Sequence, residues 1–166
     1  MELSELFDYK NLLMKELCSD EAIVHIMTGN DEARVPNHGL PYSQVFPYEY
    51  VPETVSEANT FICFDVDIVD VDDRTYYTPA IYVWIFTHKS KMRTNAGRIA
   101  IDQLAVEVNK IVNGSRLYGL GEMKLKSVRR FTPIDDYKGR VLTFVTKDFN
   151  RQSGSKPRPE NRKQGA

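Results

Sequence analysis

Five aspartates fall within one short run, Asp65, Asp67, Asp70, Asp72 and Asp73. Carboxylates at that density could hold a divalent cation, and such a cation could activate water against a phosphodiester. The pattern fits that chemistry poorly. A calcium loop needs a glycine at its sharp turn and a distal bidentate carboxylate, and this run has neither. A metal-dependent nuclease needs Glu-x-Lys on the next strand, so that two carboxylates share the metal and the lysine orients the phosphate. The next strand instead offers Trp84, Ile85 and Phe86 before His88 and Lys89. A resolvase-like enzyme would have to work with Asp65, Asp67 and Lys89 alone. The run reads better as a solvated strand face with a polar loop, or as an acidic surface for protein contact.

The remaining reactive residue types are scattered. His25, His38 and His88 show no i, i+4 or His-x-Glu spacing, so each reads as a surface or core histidine. Cys18 and Cys63 lie far apart, and both read as free, buried thiols of a chain made in a reducing compartment. No Gly-x-Ser-x-Gly elbow is present. Gly114, Gly119 and Gly121 follow a helix, whereas a dinucleotide fingerprint follows a strand, so they read as turn residues. The expectation is no catalytic residue, no metal and no cofactor.

Basic residues are more abundant. Lys89, Lys91, Arg93 and Arg98 follow the second long strand, and Arg116, Lys124, Lys126, Arg129 and Arg130 mark a later one. Lys147, Arg151, Lys156, Arg158, Arg162 and Lys163 continue to the end. Such clustering could neutralise phosphates. Reading bases would also need an exposed Arg/Asn helix or a stacking platform, and GRIAIDQLAVEVNKIVNG is too mixed in charge for that. Protein contact, or loose proximity to DNA, fits better. Residues 1–75 carry 4 Lys/Arg against 16 Asp/Glu, and residues 76–166 carry 18 against 7. A chain so divided, yet carrying a net charge of only −1, suits copies of itself that meet through unlike faces. The candidate contact residues are thus Asp65, Asp67, Asp70, Asp72, Asp73 and Arg74, with the basic set from Lys89 to Arg130 named above.

The elements that must position these residues are legible from periodicity. Leu3, Leu6, Phe7, Leu13, Met14 and Leu17 predict an amphipathic helix over 3–17. Ser19 or Asp20 caps a second helix, which Gly29 ends. Residues 30–57, with Pro36, Pro41, Pro47 and Pro52, form a long irregular segment whose aromatics Tyr42, Phe46, Tyr48 and Tyr50 make it pack. Residues 60–70 alternate, with Ile62, Phe64, Val66 and Ile68 on a buried face and Asp65 and Asp67 opposite. Residues 79–87 are apolar on both faces, as a central strand is. Thr94 or Asn95 caps a helix from about Gly97 to Val112, and Asn113-Gly114 ends it. Strands over 122–132 and 139–147 follow, joined by a turn holding Pro133 and Gly139. The class is α+β: a mostly antiparallel four-stranded sheet from two hairpins, β-β-α-β-β, with the N-terminal helices packed on one face. Residues 1–150 make one domain, and 151–166 a flexible basic tail. No membrane span is expected, and the acidic, amphipathic N-terminus is unlike a signal peptide.

With TFICFDVDIVD, TPAIYVWIFTHKS, RIAIDQLAVEVNKIVNGSRLYGLGEMKLKSVRRF and DDYKGRVLTFVTKDFN in that order, residues 58–150 resemble the tail terminator or head–tail connector proteins of long-tailed bacteriophages or phage-derived tail particles. The resemblance implies a structural protein of the virion neck, made in the cytoplasm of the bacterial host. Such proteins form a homo-oligomeric ring, usually a hexamer, that caps the tail tube and joins it to the head connector. DNA passes through the lumen. The implied partners are further copies, the tail tube protein and the head connector proteins, with DNA only in passage or loose contact.

Overall fold

The computed structural model describes residues 3–29, 39–51, 58–72 and 75–149. In chain order these form α1 (Glu5–Ser19), α2 (Glu21–Thr28), β1 (Val45–Phe46), β2 (Thr60–Asp72) and β3 (Tyr76–His88). A short 3-10 turn (Lys89–Lys91), α3 (Ala100–Val112), β4 (Lys124–Phe131), β5 (Tyr137–Val145) and β6 (Asp148–Phe149) follow. The sheet runs β1-β2-β3-β5-β4 in space, and β6 pairs with the start of β3. The four long strands are antiparallel throughout, while β1 is parallel to β2. The expected four-stranded sheet is therefore corrected to a mixed sheet of six strands, and β-β-α-β-β describes only its long strands with α3. The last hairpin folds back so that β5, not β4, lies against β3.

The apolar strand 79–87 is central, as its two-sided pattern requires. On one face Ile81, Val83 and Ile85 meet Ile62, Phe64, Val66, Leu142 and Phe144. Above them lies α3, whose Leu104, Val108 and Val112 are fully buried at helical spacing. Each such side chain contributes about 1.5–3 kcal/mol of burial. Leu13, Leu17, Ile23, Val24 and Met27 extend the same core from α1 and α2. Tyr9 of α1 donates to the buried Asp148 carboxylate of β6 at 3.4 Å and packs edge-on against Tyr118. Burial first, then the neighbouring carboxylates, raises the Tyr9 phenol pKa, so its proton stays in place.

Two chain punctuations lie where the sequence places them. The Asp20 carboxylate accepts from the Ile23 N–H at 2.9 Å and caps α2, and Gly29 ends that helix at φ 68°. The third helix differs from expectation. Thr94 caps a turn, accepting from the Arg98 N–H and the Gly97 N–H, and Arg93 bridges to Ile99. That turn uses up residues 94–98, so α3 starts at Ala100 with Ile99 as its cap position. Leu3 and Phe7, expected on the buried stripe of α1, are exposed. The stripe that reaches the core starts at Leu6 and passes through Tyr9 and Leu13 to Leu17.

A second core occupies the opposite face at one end of the sheet. Phe46, Phe61, Cys63, Phe86 and Tyr137 are buried there, with Phe46 stacked on Tyr50 at 4.2 Å between ring centres. Part of the Pro-rich segment thus packs as its aromatics predict, although Tyr42 and Tyr48 remain exposed. Residues 30–38 and 52–57 of that segment, and the tail 151–166, lie outside the described residues.

Candidate functional site

The aspartate run is carried by the outer half of β2. Asp65 is half-buried and pairs with Lys10 of α1 at 2.5 Å, while Asp67 and Asp70 are exposed. Asp72 ends the strand, its side chain not described, and Asp73 and Arg74 lie outside the described residues. This half of β2 is an open strand edge among the described residues, since β1 covers only Ile62 and Cys63. The backbone shows how the edge is closed locally. The Ile62 N–H points away from β3 and donates to the Gln44 carbonyl. Two strand periods further on, the Val66 N–H has no such strand and donates to the Asp65 carboxylate at 2.7 Å. Past the register shift between Ile68 and Asp70, the Val71 N–H likewise donates to the Asp70 carboxylate at 2.9 Å. Aspartates here satisfy edge donors that a neighbouring strand would otherwise take.

The basic residues, one set in the sequence, separate into three groups. Lys89 pairs with Asp136 at 2.6 Å, a hydrogen bond that first of all lowers the carboxyl pKa and raises that of the lysine. Lys91 donates to Asn59 at 3.1 Å. With Arg93 and Thr94 it borders a cleft of about 260 Å³ between the end of α2 and the start of α3, while the Arg98 backbone closes the Thr94 turn. Arg116 belongs to a loop and holds Glu122 at 2.6 Å, which lowers the carboxyl pKa of Glu122. Lys124, Lys126, Arg129 and Arg130 are exposed on β4, the other edge of the sheet. The β4 strand is half-bare on both faces, leaving Leu125 and Val128 in solvent. Val69 and Val71 are the exposed apolar residues of the β2 edge. The sheet therefore ends in an acidic edge strand on one side and a basic one on the other.

Registers exclude a shared site for Asp67 and Lys89. Asp67 pairs with Ala80, and Lys89 lies nine residues further along the chain of β3, about 30 Å away at strand rise. Among the described residues no group of three His, Cys, Asp or Glu is placed to hold a metal ion. Cys18 and Cys63 are free and buried, and burial pushes their thiols up to about 11 and about 12, too high for a neutral-pH nucleophile. His25 is exposed, and His88 is buried as the cap of the 3-10 turn, accepting from the Ser90 N–H; His38 lies outside the described residues. Among the described residues no helix is long and apolar enough to cross a membrane.

The model of the YomW family matches residues 6–146 of this chain. No curated protein matches it significantly. Among solved structures, the fold is similar to a chain of a particle described as "Virion of native gene transfer agent (GTA) particle". The TM-score is 0.55 at 14% identity, covering 84% of this chain and 93% of that one.

Proposed function

Since this chain belongs to the YomW family, a family of phage type, we propose that it is a virion structural protein of the tail neck. It forms a ring, six-membered by the resemblance of its strand–helix–strand order to tail terminators. The ring closes the end of the tail tube, joins it to the head connector and leaves a lumen for DNA. Its partners are other copies of itself, the tube protein and the connector. It is assembled in the host cytoplasm and resides in the virion. It performs no chemistry.

The observation that carries this reading is a fold shared, over 84% of this chain and 93% of the other, with a chain of a gene transfer agent virion. The unlike edges of the sheet support it, because a ring needs two different patches on each subunit. Against a small metal-dependent DNA-processing enzyme stands a distance: the carboxylates and the lysine such an enzyme would use are some 30 Å apart along the strands. A monomeric adaptor acting through residues 30–57 would give no role to either charged edge.

Deleting the gene from the parent particle tests the function. DNA-filled heads and free tails, present separately and rejoined when the protein is supplied, are the expected result. Complete particles at normal yield from the deletion strain would overturn it.

A further inference from the structure

We propose that neighbouring subunits join by sheet extension, β4 of one copy pairing with the outer half of β2 of the next. This rests on the ring reading and names its contact.

Strand direction permits it. Because β2, β3, β5 and β4 are successively antiparallel, β2 and β4 run in opposite directions. Head-to-tail addition of an identical copy therefore sets β4 antiparallel to the next β2, the same pairing found inside the sheet. Register permits it as well. At equal height Arg129 stands level with Val141, Trp84 and Cys63, and there β1 already occupies β2. Sliding by about four residues toward the hairpin tip clears β1 and brings Arg129 opposite Asp67 on the same sheet face. The eight residues of β4 then lie along Asp65–Asp72. Closed sheets of tilted strands need a stagger of this kind.

Charge selects the partner. Lys124 and Arg129 would share a sheet face with Asp65, Asp67 and Asp70, and Lys126 and Arg130 add to the basic edge, whereas β4 against β4 or β2 against β2 sets like charges opposite each other. The exposed Leu125 and Val128 on one edge, and Val69 and Val71 on the other, gain cover in the same step. The edge donors Val66 N–H and Val71 N–H exchange an aspartate for a strand carbonyl. Size favours the larger rings. Four strands from each of six subunits, about 4.8 Å apart, enclose a circle about 37 Å across before tilt. Three subunits give about 18 Å, which inward side chains fill.

Charge exchange tests the contact. One variant carries Asp67→Lys with Asp70→Lys, a second Lys124→Glu with Arg129→Glu, and a third all four. Each is checked for folding by circular dichroism and for rings by negative stain and mass photometry, alone and with tail tubes. Each pair alone should lower ring yield at least tenfold. The four-fold variant, and an equimolar mixture of the first two, should restore it, the mixture with alternating subunits. Folded single-edge variants that still form rings, or a failure of both rescues, would overturn edge pairing while leaving the ring in place. A native chain that never forms rings, with or without tubes, would overturn the ring reading itself.

Discussion

Replacing Gly139 with alanine should lower the melting temperature by roughly 6–12 °C, and with valine should abolish soluble expression. Gly139 pairs with Phe86 inside the sheet. A Cβ there would run into the Ile85 carbonyl oxygen, and would stand 2.7 Å from the Phe86 Cβ and 2.9 Å from its Cα. Two of those neighbours are main-chain atoms of the central strand, which cannot turn aside. Overpacking costs about 1–3 kcal/mol where side chains can adjust, and this site stands at or beyond the upper end. Gly114→Ala provides the control. Its φ of 82° gives a cost of about 1 kcal/mol, but the space around it is open. Thermal melts of the two alanine variants should differ by several degrees in the stated order. Equal melts would mean that β3 and β5 are not so close.

Phe61→Ala should cost about 3–5 kcal/mol. Phe61 is buried between Phe46, Phe86 and Tyr137, at 6.4, 5.4 and 6.1 Å between ring centres. These rings form the second core, which ties the described part of the Pro-rich segment to the sheet. If the cluster serves stability alone, urea titration should show the loss and ring assembly should survive in the folded fraction. A change below about 1 kcal/mol, with lost binding to another virion protein, would instead make the cluster a contact surface.

The element types were legible because they depend on local chemistry. Asp20 and Gly29 bound α2 where an N-cap carboxylate and a left-handed C-cap are expected. The alternation in residues 60–70 and the two-sided apolar run 79–87 marked the long hairpin, whose strands extend to Thr60–Asp72 and Tyr76–His88. What escaped depends on distant chain. Val45–Phe46 is too short to show any period, so the parallel addition of β1 left no trace in the pattern. Gly139, read as a turn residue, lies within β5, because the need for it comes from Phe86 across the ladder. Phe61 and Cys63 sit at polar-face positions of an alternating strand, and their burial follows from a segment that folds over that face. The strand break opposite Pro79 is similar. Lacking an N–H, Pro79 stands where β2 shifts register and where β3 changes partner from β5 to β6.

The charge division of the sequence anticipated two unlike charged surfaces, but not their place. Asp67 and Asp70 proved to lie on one sheet edge with Arg129 and Arg130 on the other. Sequence order had grouped Lys89, Lys91, Arg93 and Arg98 with the latter. The structure puts Lys91 and Arg93 at the cleft between the end of α2 and the start of α3, and Lys89 against Asp136 in the turn between β4 and β5. Spatial strand order, which reverses β4 and β5, makes that difference.

Electron microscopy of the purified chain mixed with tail tubes is the most direct measurement. One closed ring of this protein on one end of each tube, with an open lumen and a sheet continuous from subunit to subunit, is the expected result. Tubes with bare ends, beside a chain that stays monomeric at every concentration, would contradict it.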